Sequence, residues 1–422
     1  MKICIIGLGY IGLPTAAMFA TNGHKVVGVD VNNKVVEALN QGKIIIEEPN
    51  LEDLVKQAVK DGSLVASDKP QKADAFIICV PTPILPDKRA DLSFVENSVR
   101  TVLPYLEKGN IVILESTSPP GTTRDLVCPI IEEAGYKPGE DIYVAYCPER
   151  VLPGRILIEL KENSRVVGGI NKESAEIVKD LYKSFVQGEI YTSDATTAEM
   201  CKLMENTFRD VNIALANELA KLCEKLGINA WDVIKFANKH PRVNIHMPGP
   251  GVGGHCIAVD PWFIVEKLPD TAQIIHLARK TNDSMPSYVL DKIKAITGNI
   301  TGTKKVCVLG VTYKPNIDDM RESPVVELVH HLKQHQEYEV LVVDSHVDFE
   351  GSRDRDIYEA VSGAHLLVLG VNHDEYRNMD FDRIRKNMAV PQVLDTRNFW
   401  EKEIVEKAGL RYHLLGCGRN NQ

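Results

Sequence analysis

The chain has 422 residues, 44% hydrophobic and 25% charged, with a formal net charge of -9. This length exceeds one compact core, so two or three domains are expected, and no apolar run is long enough to span a bilayer. The acidic balance argues against a nucleic-acid partner, yet an anionic ligand needs only a few local cations and helix N-termini.

The N-terminal run MKICIIGLGYIGLP is short and apolar, like a signal peptide. Gly7, Gly9 and Gly12 interrupt it and no small-residue cleavage site follows, so a cytoplasmic location is expected. KICIIG reads as a strand and residues 10–22 as a helix. Between them, Gly7-Leu8-Gly9-Tyr10-Ile11-Gly12 has a phosphate-binding spacing. Its first glycine permits a tight turn, its second lets backbone approach a pyrophosphate, and its third lets helix pack on strand. The strand HKVVGVD then ends at Asp30, where an acid grips ribose hydroxyls and disfavours a 2′-phosphate. Strand, turn, helix and acid together predict an NAD site; a purely structural glycine turn is the plainer alternative. ADAFIICV, GNIVILEST and DIYVAYCPE continue as strands separated by helical patterns, which implies a parallel, doubly wound sheet. Thr117 and Glu149 follow two of these strands, where open α/β sheets place ligands. Thr117 reads as a substrate or water contact, or as a helix cap. Glu149 reads as a general base, or as a salt-bridged acid.

Residues 194–226 contain neither Gly nor Pro and predict one long helix, with Asp194 as its N-cap and Gly227 as its C-cap. At 1.5 Å per residue it spans about 45–50 Å, enough to link two lobes and supply a dimer surface. Lys202 and Asn206 share one of its faces, suited to an oxyanion or a water, or simply a polar surface. The run HPRVNIHMPGPGVGGHCIAVDPWF is too rich in Gly and Pro for a helix and predicts an ordered loop. Within it, glycines leave Cys256 accessible, whereas a lone cysteine is ordinarily buried and inert. Asp260 organises that site, acts as a base, or stabilises a turn. Residues 271–296 look helical. KKVCVLGVTYKP, EYEVLVVD, AHLLVLGV and VPQVLDTRN then supply strands of a second α/β unit. Lys314 and Arg321 there suggest a phosphorylated ligand, or a solvated charged loop. Nine scattered cysteines form no CxxC pair, so no metal site is expected.

Taken together, GLGYIGLP, CVPTP, ESTSPPGTT, CPE, the Lys202–Asn206 helix, GGHC and Arg321-Glu322-Ser323 resemble the UDP-glucose/GDP-mannose 6-dehydrogenase family, in order along nearly the whole chain. The resemblance implies two Rossmann-like doubly wound domains joined by a long central helix and helical dimerisation region. The expected division is 1–193 (NAD), 194–298 (central, with the Cys loop) and 299–422 (UDP-sugar). It implies a homodimer through the central helix and no membrane partner. It implies catalytic roles for Cys256 as nucleophile, Lys202 and Asn206 at the oxyanion, Asp260 and Thr117 at a water, and Glu149 as a hydrolytic base. Cofactor contacts extend to Gly7, Gly9, Tyr10, Ile11, Gly12, Asp30, Pro81, Thr82, Thr117 and Arg321. Substrate contacts extend to Glu149, Arg150, Lys202, Asn206, Arg209, Arg242, Gly253 and Lys314. The implied reaction oxidises C6 of a UDP-sugar to the carboxylate, reducing two NAD through a thioester. Pro153 stands where many UDP-glucose enzymes carry a second Glu, and Val259 where they carry Lys. CPERVLPGR and GPGVGGHCIAVDPWF instead look like bacterial members acting on UDP-N-acetyl-D-mannosamine. UDP-N-acetylglucosamine or UDP-glucose as substrate, and a UDP-sugar epimerase that keeps its NAD, remain the alternatives at this point.

Overall fold

Strand runs rich in Val, Ile and Leu suit a sheet buried on both faces, and β4 (Ala75–Ile78) and β5 (Ile111–Leu114) are buried at every position. The structure, a computed structural model, describes residues 1–418. They form two compact units, Met1–Glu205 with Glu266–Leu268, and Asn206–Val265 with the chain from Pro269 onward.

The first unit holds an eight-stranded sheet. Its other strands are β1 (Lys2–Ile6), β2 (Lys25–Val29), β3 (Leu64–Ser67), β6 (Tyr143–Tyr146), β7 (Arg165–Gly169) and β8 (Ile190–Asp194). The order is β3-β2-β1-β4-β5-β6-β7-β8, so the order in which strands are added reverses between the parallel neighbours β1 and β4, where such sheets bind nucleotides. The expected parallel sheet is interrupted once: β6 pairs with β7 antiparallel. The second unit holds β9 (Lys304–Leu309), β10 (Tyr338–Val343), β11 (Leu366–Leu369), β12 (Gln392–Asp395) and β13 (Arg411–Leu414). Their order is β10-β9-β11-β12-β13, all parallel. Each sheet is sandwiched by two apolar clusters, one on each face. These are the two Rossmann-like domains, joined by the long helix.

That helix runs Ala195–Leu226. Asp194 caps it by accepting from the Thr197 N–H at 2.9 Å and the Thr197 hydroxyl at 2.6 Å. Gly227 ends it at φ +70°, the left-handed turn that favours glycine. Two expectations are corrected. The Gly/Pro-rich loop stops at Val259, because Asp260–Lys267 is a helix whose first turn accommodates Pro261. Residues 271–296 divide into Gln273–Asp283 and Met285–Thr297, with Pro286 opening the second helix. Among the described residues, no helix is long and apolar enough to cross a membrane.

Candidate active site

In the first unit, the glycine motif is built for close approach. Gly7 has φ +94°, and a Cβ there would lie 2.5 Å from the Cys79 carbonyl oxygen. A Cβ on Gly12 would lie 1.9 Å from the Gly7 oxygen, whereas one on Gly9 would meet nothing within 4 Å. Gly9 is therefore the open face of the turn, ahead of the helix Gly12–Thr21. Asp30 accepts from the Leu8 N–H and the Asn32 N–H, both at 2.9 Å. It thus ties the turn to the end of β2, and a carboxylate with four lone-pair sites still has capacity for ribose hydroxyls. Beside it, the Val80 N–H donates to Ser116 Oγ at 2.9 Å and the Thr82 hydroxyl to the Thr117 carbonyl at 2.6 Å. These bonds lock the ends of β4 and β5 together and bring Pro81, Thr82 and Thr117 to the same sheet edge. Tyr10 is exposed and Ile11 half-buried. An NAD dinucleotide fits this donor set: open glycine backbone, helix N-terminus and strand-end acid.

The loop carrying Thr117 is pinned by the central helix. The buried Glu199 carboxylate accepts from the Gly121 N–H at 2.5 Å, the Thr123 N–H at 2.8 Å and the Thr123 hydroxyl at 2.7 Å. Lys202, half-buried on the next turn, has no hydrogen-bond or ion-pair partner among the described residues. Glu149 is buried and ion-paired to Arg165. Arg150 pairs with Glu205 at 2.7 Å and donates to the Ser164 carbonyl.

In the second unit, Cys256 lies in the turn that opens the helix Asp260–Lys267. Its carbonyl accepts from the N–H groups of Val259 at 3.1 Å and Asp260 at 2.9 Å, and its side chain is exposed. Asp260 is buried, and Asn206 donates to its Oδ2 at 2.6 Å. About three turns further along the central helix, Asn217 accepts from the Gly249 N–H at 2.9 Å. One helix face thus fastens both ends of the Cys256 loop. Between these anchors, glycine is demanded by packing. A Cβ on Gly253 would lie 2.3 Å from the Glu322 oxygen, and one on Gly254, at φ +85°, would lie 2.8 Å from the Tyr313 ring. Gly254 N–H also donates to the Arg321 carbonyl at 3.2 Å. The sequence reading assigns these glycines to thiol access; the structure gives them the task of seating the loop on the Tyr313 and Arg321–Ser323 segment.

Arg321 is exposed and held by Asp319 at 2.6 Å. Lys314, Arg209 and Arg242 are also exposed. His255 titrates below the usual range, through burial and then the Arg321 charge, and the Tyr313 phenol above it, through burial and then Asp319 and Cys256. Tyr313 and Arg397 escaped the sequence reading. Arg397 follows β12, its Nε donates to the Gly370 carbonyl at 3.2 Å, and its guanidinium occupies the space a Gly249 side chain would need. The signal was the LDTRN strand end, read only as a strand. His346, His373 and Glu375 bring possible metal-ligand atoms within 4.8 Å of one another. Both His373 ring nitrogens are already engaged, Nδ1 by the Asn316 N–H at 2.9 Å and Nε2 by Thr312 at 3.2 Å and Asp344 at 3.3 Å, which disfavours ligation.

Comparison with known proteins agrees with this layout. Models of the UDP-glucose/GDP-mannose dehydrogenase family match as its NAD binding domain over residues 1–186, its central domain over 196–284 and its UDP binding domain over 307–402. A UDP-N-acetyl-D-mannosamine dehydrogenase of Methanocaldococcus jannaschii is 51% identical over 99% of this chain and 97% of its own. An NDP-N-acetyl-D-galactosaminuronic acid dehydrogenase of Ralstonia nicotianae is 47% identical over 96% of this chain and 97% of its own. The solved UDP-D-ManNAc dehydrogenase of Pyrococcus horikoshii superposes with a TM-score of 0.92 at 39% identity, covering all of both chains. The open glycine turn with its strand-end acid, the anchored cysteine loop and these matches along the length of the sequence place the chain in the UDP-glucose/GDP-mannose dehydrogenase family, as an NAD-dependent oxidoreductase.

Proposed function

We propose that the protein oxidises the C6 alcohol of UDP-N-acetyl-D-mannosamine to UDP-N-acetyl-D-mannosaminuronate in two successive two-electron steps. The observation that carries the chemistry is the exposed Cys256 in a loop fastened at both ends to the central helix, with Asp260 held by Asn206. The sugar is supported by the names of the Methanocaldococcus and Pyrococcus relatives. The Ralstonia relative supports a second reading, an N-acetylgalactosamine-type sugar.

Bound NAD supplies the hydride acceptor, once per oxidation. Water held by Thr117 and Asp260 takes the proton of the C6 hydroxyl. The Cys256 thiolate adds to the resulting aldehyde carbon and forms a thiohemiacetal, which keeps the aldehyde from escaping. Lys202 and Asn206 donate to the oxyanion. The second oxidation leaves a thioester. Water activated by Glu149 adds to its carbonyl, the C–S bond breaks, and the sulfur leaves as the Cys256 thiolate. Arg150, Arg209, Arg242, Gly253 and Lys314 contact the UDP-sugar in this reading, and Arg321 the cofactor.

A homodimer through the central helix belongs to the same proposal. Met204, Phe208, Leu215, Leu222 and Leu226 are all exposed along that helix at three- to four-residue multiples, a contiguous apolar stripe. The deciding experiment is a panel of UDP-N-acetylmannosamine, UDP-N-acetylglucosamine, UDP-N-acetylgalactosamine and UDP-glucose, assayed for NADH formed and product mass. Two NADH per uronate with the mannosamine sugar preferred is expected. One NADH per sugar, or none, sinks the four-electron reading. Cys256→Ser should stop steady uronate formation while NAD still binds; normal turnover would refute the covalent role.

A further inference from the structure

The first unit buries an ionic cluster that the reaction scheme leaves unexplained. The β6–β7 register pairs Ala145 with Gly169 and Tyr146 with Gly168. Continued three residues beyond Tyr146, the same register sets Glu149 opposite Arg165. The reversal of β7 is therefore what delivers a cation to this acid, and the two side chains form an ion pair while only 5% and 4% exposed. Glu115, at the end of β5, is fully buried and lies 3.8 Å from the Arg165 guanidinium. It accepts from the Cys79 thiol at 3.0 Å and from the Tyr182 hydroxyl. Arg165 also stacks over the Tyr182 ring at 4.6 Å and donates to Cys147 Sγ at 3.6 Å. One cation thus serves two carboxylates in a water-poor interior, where two unshared negative charges are costly. A cavity of ≈ 10 Å³, room for about one water, touches Glu149, Arg150 and Arg165.

We propose that Arg165 is the positioning residue that fixes the Glu149 carboxylate, with Glu115 as the second acid that shares its guanidinium. This inference rests on the reading of Glu149 as the base of thioester hydrolysis. The groups facing Glu149 are Arg165 on β7, Glu115 after β5, Cys79 after β4, Cys147 and the Arg150 N–H, while Tyr182 faces Glu115 and Arg165. Burial and then the Glu149 charge push the Glu115 carboxyl up to about 7.

The two neighbours should differ in what they do to Glu149. Arg165→Gln removes the compensating charge, so the acidic limb of the kcat–pH profile should move up by about 1–3 units. Acyl-enzyme on Cys256 should accumulate in acid-quenched intact-mass spectra, with KM values little changed and Arg165→Lys restoring much of the rate. Glu115 is already protonated below about pH 7, so Glu115→Gln should leave that limb in place. A limb unmoved in Arg165→Gln, with no acyl-enzyme, overturns the inference. Glu149→Gln separates the two levels. If that variant hydrolyses the thioester normally, the base reading fails and this inference falls with it. If it stalls while Arg165→Gln keeps the parent profile, only the positioning role fails. Should Arg165→Gln not fold, the double variant Arg165→Gln with Glu115→Gln, which removes the cation together with one of its two acids, takes its place under the same criteria.

Discussion

Lys202 carries the clearest prediction at the scale of one side chain. An ammonium without a counter-ion among the described residues, one helical turn before Asn206, is suited to a charge that exists only during reaction. Lys202→Ala should lower kcat by about 10²–10³ with NAD affinity nearly unchanged, as expected for an oxyanion donor; stopped-flow NADH formation measures it. A loss confined to KM would instead make Lys202 a ground-state contact. Several residues of this kind were legible in the sequence because the signal is local. The three glycines and Asp30 stand at fixed spacing, and Lys202 and Asn206 share a helix face by periodicity alone. Arg165 was not legible. Sixteen residues separate it from Glu149, and only an antiparallel register that a βαβ pattern does not announce brings them together.

At the scale of elements, the cysteine loop shows where composition misleads. Gly and Pro correctly predicted a loop, but Gly253 and Gly254 answer to tertiary neighbours invisible in a local window. Gly254→Ala combines a left-handed backbone with a Cβ 2.8 Å from the Tyr313 ring. It should destabilise by about 1–3 kcal/mol and disturb the Cys256 loop before the rest of the fold. Hydrogen exchange would register this as lost protection around residues 249–260; unchanged protection would show that the loop is seated by other means. The break at Ser284 and the early start of the helix at Asp260 have a similar origin. Proline ends one helix and opens another, and apolar periodicity runs smoothly across the junction. The strands β3, β7, β8 and β13 were hidden for another reason: LVAS, RVVGG, IYTSD and RYHL mix polar or small residues into the run, whereas AFII, IVIL and LLVL, no longer, are apolar throughout.

At the scale of the whole molecule, two properties can be tested. The first is pH dependence of stability. Glu115 rises from 4.5 to about 7 on folding, through burial first and the Glu149 charge second. The native state therefore holds a proton that the unfolded chain has released. Its contribution is complete below pH 4.5 and is lost as pH rises through about 7. A shift of this size corresponds to at most about 3 kcal/mol. Melting temperature recorded across this window should fall more steeply with rising pH in the parent than in Glu115→Gln; parallel curves would contradict it. The second is assembly. Phe208 is 64% exposed on the central helix, and Phe208→Glu with Leu222→Glu should convert a dimer to monomers in sedimentation velocity. An unaltered sedimentation coefficient would locate the interface elsewhere.

The backward course of β7 has one more consequence. Chain leaving β6 and chain entering β7 meet at the same rim of the sheet, so the excursion between them, which holds Leu152, Pro153 and the helix Ile156–Glu162, starts and finishes at neighbouring points. The ladder, together with the bonds from Arg150 to the Ser164 carbonyl and from Asn163 to the Arg150 carbonyl, sets how acid and guanidinium face each other. The excursion can therefore be lengthened, shortened or re-lettered between Leu152 and Glu162 while Glu149 stays beside Arg165.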